Sequence, residues 1–173
     1  MAETSAQRNA MAYYKAGHVV VAWYYGIGLR DASVRPGDDN LGRCLSATLL
    51  RSLRPGVELT AHDREQLEAH VRRVLAGAIA QRKFDPHRYD CSEDKGDRRA
   101  AVELLSRLAE TEEEVTAYCR LLAVQTRDLL DRTSIWMLVE AVASKLIEQE
   151  ELSSTEREDL IRTAAEQLKW GQP

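Results

Sequence analysis

Tyr14, Lys15 and His18 sit on a stretch from about Ser5 to Tyr25 that has no proline and only one glycine, so they share one predicted helix. Successive helix residues are about 100° apart, which points these three side chains broadly the same way. Imidazoles at the two outer positions, with a glutamate following the first, would grip Zn²⁺ and hold a base against the metal-bound water. Only His18 has the residue type that this chemistry needs. Tyr14 stands in place of the first ligand and Lys15 in place of the base. An ammonium whose ordinary pKa is about 10.4 is charged at neutral pH, repels a divalent cation and cannot accept a proton. The spacing of metal-assisted hydrolysis is kept while its donors are lost.

Four further stretches accompany Tyr14-Lys15-Ala16-Gly17-His18-Val19 in order. They are Val34-Arg35-Pro36, Leu41-Gly42-Arg43-Cys44, Leu75-Ala76-Gly77-Ala78-Ile79-Ala80 and Gly96-Asp97-Arg98-Arg99-Ala100. The ordered set, from about Ala10 to Glu158, resembles the peptidase domain of the FtsH-type ATP-dependent zinc metallopeptidases, whose helix reads approximately Ala-x-His-Glu-Ala-Gly-His. Gln81 departs from the acidic residue usual after the Leu-Ala-Gly element. The resemblance implies a zincin-like fold, with His18 and Asp97 as vestigial metal ligands and Tyr14 and Lys15 as degenerate catalytic positions. It also implies an edge strand at Gly42, Arg43 and Cys44 that receives an extended peptide.

On this reading the chain is a catalytically inactive FtsH-like peptidase domain that binds a peptide or protein and needs no cofactor. The alternative is an active zinc metallopeptidase with an unusual ligand set, such as His18, Asp97 and either Glu93 or Asp94 from the adjoining loop. The family's rings imply a homo-oligomer. The sequence contains no Gly-x-x-x-x-Gly-Lys-Ser/Thr phosphate loop, so any ATPase is expected to act from a separate chain. An aspartate left without zinc needs a counter-cation or a proton. The Lys15 ammonium is expected to supply that charge to Asp97, with help from the Tyr14 hydroxyl.

Simpler roles stand beside these. Asp97 follows a glycine and precedes a helical run, which suits a plain N-cap. His18 among valines suits a hydrogen-bonded core histidine. His87 and Cys91 have ligand-like spacing, but Pro86 and their polar surroundings suggest a loop. His62 and His70 read as exposed polar residues of an amphipathic helix, and Tyr13, Tyr14, Trp23, Tyr24 and Tyr25 read chiefly as packing groups.

Composition narrows the classes. The 24 basic and 28 acidic side chains give a formal charge of -4, and no Lys/Arg stripe is interleaved with aromatics, so a nucleic-acid partner is not expected. Cys44, Cys91 and Cys119 lack a Cys-x-x-Cys spacing and read as reduced thiols. With no apolar run of about 18 residues and a polar start, no membrane partner is expected and the location is expected to be cytoplasmic.

The 173 residues suit one domain, mainly α with a small antiparallel β element at about 31–50. Ala32-Ser33-Val34-Arg35 is expected to pair with Gly42 to Leu50 across a Pro-Gly-Asp-Asp-Asn turn. Thr60-Ala61-His62-Asp63 opens a helix to about Lys83, and Phe84 to Gly96 reads as a polar loop. C-terminal helices are predicted from Asp97 to about Ala109, from Thr111 to Arg132, from Thr133 to Gln149 and from Ser153 to about residue 169.

Overall fold

The computed structural model describes residues 5–28, 32–33, 58–87 and 95–167. Its elements run α1 (Ser5–Tyr24), β1 (Ala32–Ser33), α2 (Ala61–Phe84), α3 (Lys95–Leu105), α4 (Glu112–Asp131), α5 (Thr133–Gln149), β2 (Glu151–Leu152) and α6 (Ser154–Gln167). The fold is mainly α, as the periodicity predicts. No helix among the described residues is long and apolar enough to cross a membrane.

Helix starts follow local chemistry. Thr60 and Asp63 form a reciprocal cap in which the Asp63 amide donates to Thr60 Oγ1 at 3.1 Å and the Thr60 amide donates to Asp63 Oδ2 at 3.0 Å. Thr111 and Glu114 repeat the device at α4, and Ser153 and Glu156 repeat it at α6. Each cap satisfies two backbone donors that a helix start leaves orphaned, a contribution of about 1 kcal/mol.

α1 has weak intrinsic support, because three consecutive valines lose rotamer freedom in a helix. Burial stabilises it instead: every residue from Tyr14 to Ala22 is buried. It packs against α2 and α5, and β1 lies close by. The larger core joins Val19, Val20 and Val21 of α1 to Ala76 and Ala80 of α2, Leu138 and Val142 of α5, Leu152, and Ile161 of α6. A second core gathers Leu67 and Val71 of α2, Ala101 and Leu105 of α3, and Val115 and Leu122 of α4. α2 is therefore a shared wall, with its N-terminal half in the second core and its C-terminal half in the first.

One strand is added and two expectations are corrected. β1 pairs antiparallel with β2, Ala32 opposite Leu152 and Ser33 opposite Glu151, which places strand character in a segment that reads as a joint between helices. The strand expected at residues 42–50 lies outside the described residues. α3 begins at Lys95 and ends at Leu105, so Asp97 is inside its first turn and does not precede it. His70, expected in solvent, is only 5% exposed because α2 is covered on more than one side.

Candidate functional site

Three elements converge on His18. α1 presents Tyr14 and His18, whose spacing of four residues places them on one face. α2 contributes the backbone carbonyl of Arg73 and the bare Cα of Gly77, and the first turn of α3 contributes Asp97. The Tyr14 hydroxyl donates to Asp97 Oδ2. His18 Nε2 lies 3.2 Å from the same oxygen, and Nδ1 lies 2.8 Å from the Arg73 carbonyl oxygen. The Tyr14 and His18 rings meet edge to face, 4.7 Å apart at 85°, a favourable arrangement of their quadrupoles.

The roles of the ring nitrogens follow from their partners. A carbonyl oxygen only accepts, so Nδ1 carries a hydrogen and donates it. Nε2 is then aimed at the Asp97 carboxylate. The same Nδ1–H to carbonyl contact is what holds a metal-ligating histidine with Nε2 toward its ion. Here that nitrogen meets a carboxylate, which the Tyr14 hydroxyl also bonds.

Backbone spacing makes the cluster possible. A Cβ placed on Gly77 would overlap the His18 ring, lying 2.7 Å from Cε1. One placed on Gly17 would lie 2.6 Å from the Ala76 carbonyl oxygen and 2.7 Å from Ala80 Cβ. A glycine inside a helix costs about 1 kcal/mol relative to alanine. At both positions that cost is offset by the close approach of α1 to α2.

Burial pushes the Asp97 carboxyl upward, but the His18 hydrogen bond and charge, the Tyr14 hydroxyl and the Arg73 guanidinium more than offset it and hold it below the usual carboxylate range. The groups that lower it thus include His18 and the Arg73 guanidinium, which the sequence did not point to as partners of Asp97. Lys15 itself is buried, 7% exposed, as is Arg73 at 3%. Asp97 spends its carboxylate on Tyr14 and His18, so the N-cap reading does not describe it.

Of the residues singled out from the sequence, Tyr14, His18 and Asp97 meet at one point, and Lys15 is buried on the same helix. Gly42, Arg43 and Cys44, together with Cys91, Glu93 and Asp94, lie outside the described residues. His87 is exposed, and His62 is exposed with a 2.9 Å contact to Gln66. Cys119 is a half-buried free thiol. Tyr13 stacks on Phe84 at 3.8 Å and lies 5.8 Å from Trp136, in keeping with a packing role.

The Arg73 carbonyl escaped the sequence reading because a backbone acceptor has no side-chain signature. Gly77 did leave one, as a glycine in the interior of an otherwise regular helix. Zinc as a catalytic ion takes three protein ligands and a water. Among the described residues no group of three His, Cys, Asp or Glu side chains is placed to hold an ion, so the donors described fall short of that set. Compared with protein-family models and with curated protein sequences, the chain finds no match.

Proposed function

We propose that the chain is a catalytically inactive, FtsH-like peptidase domain that works by binding a peptide or protein. One observation carries this reading. Residues of three stretches that resemble the family's elements, Tyr14 and His18, Gly77, and Asp97, meet at one point, and His18 Nδ1 is held as a ligand's would be. Tyr14 then closes the position by bonding Asp97. The buried Lys15 adds a cation where hydrolysis would need a base. Without that base, and with no three-ligand metal centre among the described residues, this cluster is assigned no water-activating role.

Binding in this reading uses main-chain hydrogen bonds to a strand edge expected from the resemblance at Gly42, Arg43 and Cys44, which lie outside the described residues. A homo-oligomer and a separate ATPase are the assemblies that suit it, in a cytoplasmic setting without nucleic acid or membrane.

Elemental analysis of the purified chain, beside a Tyr14→His, Lys15→Glu double variant, tests the proposal. The native chain is expected to be free of metal and to leave an unfolded protein uncut, and the variant to gain zinc affinity. Stoichiometric zinc with chelator-sensitive cleavage by the native chain would sink it in favour of an active enzyme using His18, Asp97 and Glu93 or Asp94.

A further inference from the structure

We infer that the cavity between α2 and α4 binds a small anionic amphiphile, an apolar body with one carboxylate or phosphate head. This goes beyond the peptidase-like reading and does not depend on it. The cavity has a volume of about 500 Å³, within the range of small-molecule sites. Its apolar lining comes from Val74, Ala78 and Ile79 of α2 and Ala123 of α4. Around it stand five cations, Arg82, Lys83, Arg98, Arg120 and Arg127, against the two carboxylates of Asp97 and Asp131. A chain of formal charge -4 therefore turns a local excess of positive charge toward one apolar cavity.

The acids in this lining are already engaged. Asp97 takes the Tyr14 hydroxyl and His18, and Asp131 takes Lys83 at 2.7 Å. Lys83 also donates to the Leu130 carbonyl at 2.9 Å and lies 4.5 Å from the centre of the Trp136 ring. Arg120 and Arg127 are exposed, and among the described residues neither side chain makes a hydrogen bond or ion pair. Seven residues separate them on α4, which is about 10 Å along one helix face. They are the donors open to an anionic head, for which guanidinium is well matched.

The walls decide between a small ligand and a peptide. Both are α-helices whose main-chain groups bond internally, so an extended peptide finds no edge to pair with. Its amides would be left unsatisfied against an apolar surface. An amphiphile asks only for apolar contact and charged donors.

Isothermal titration of the full chain with decanoate and decyl phosphate tests this, with decanol and decyltrimethylammonium as controls. Both anions are expected to bind one to one, and each control at least about tenfold more weakly. Arg120→Ala/Arg127→Ala, at exposed positions, is expected to weaken decanoate about tenfold while leaving the thermal transition in place. Decanoate is also expected to slow alkylation of Cys119, which lines the cavity, read by mass spectrometry of its peptide. Absence of anion binding, equal binding of decanol, an unchanged affinity in the arginine variant, or protection of Cys119 by an acidic peptide alone would each overturn the assignment. The metal measurement proposed above is untouched by any of these results.

Discussion

The two sides of α2 are built by opposite means. Toward α1 it presents Gly77, Ala76 and Ala80 to Gly17 and His18, so the backbones approach closely and a polar cluster is closed between them. Toward α3 and α4 it presents Leu67 and Val71 to Leu105 and Leu122, and stability there comes from apolar volume. On the first side space is limiting; on the second, buried surface is. A small side chain therefore carries different information in the two places. Beside α1 it marks a required contact, whereas in the second core a lost methylene is a lost interaction.

The largest expected effect tests the second side. Leu122→Ala removes a fully buried side chain and should cost about 3 kcal/mol in urea unfolding, the typical penalty for a core cavity. A loss below about 1 kcal/mol would show that this core collapses freely. Gly17→Ala tests the first side with the opposite change. Alanine gains about 1 kcal/mol of helix propensity, but its Cβ would sit 2.6 Å from a backbone oxygen, which has little room to yield. The net result should be a destabilisation of about 2 kcal/mol. A stabilised variant would refute the account of close approach.

Asp97→Ala leaves the Tyr14 hydroxyl and His18 Nε2 without their acceptor and should cost about 2 kcal/mol, with Asp97→Asn costing less. Equal stability of all three proteins in thermal unfolding would mean that the cluster contributes nothing to folding.

The smallest effect is a pH dependence from His70. Burial, followed by the nearby charge of Arg73, lowers its pKa to about 4, and among the described residues its Nδ1 has no hydrogen-bond partner. The unfolded chain, with an ordinary value of about 6.5, binds the proton more readily. Its contribution is thus fully present above about pH 6.5 and is lost as pH falls from there toward 4. Comparing denaturant midpoints at pH 7.5 and pH 5, the native chain should weaken at the lower pH and His70→Phe should weaken less. Identical pH slopes would remove His70 as the source. The lowered Asp97 contributes in the same sense but at lower pH, below the usual carboxylate range, so the two windows separate.

Helix starts were the most legible part of the fold, because a cap needs only residues three apart. Thr60 with Asp63, Thr111 with Glu114 and Ser153 with Glu156 each behave as their spacing predicts. Tyr14, His18 and Asp97 could be singled out by residue type and order, and they do meet. Their bonding pattern could not be read: a lysine next to the site looked like the natural counter-charge for Asp97, while the groups acting on it include an arginine from another helix. His70 was misplaced because periodicity describes one apolar stripe, and α2 is covered on more than one side. β2 was missed because two residues carry too little pattern to announce a strand.

Local sequence is enough to set where most helices begin, which of them are apolar enough to be buried, and that Tyr14, Lys15 and His18 share one helix. Tertiary structure decided which nitrogen of His18 meets which acceptor, that Gly17 and Gly77 are there to make room, and that a cavity opens between α2 and α4. The division is physical. Caps and periodicity act within a few residues, whereas the distances that set hydrogen bonding and charge at the site depend on how closely separate helices approach.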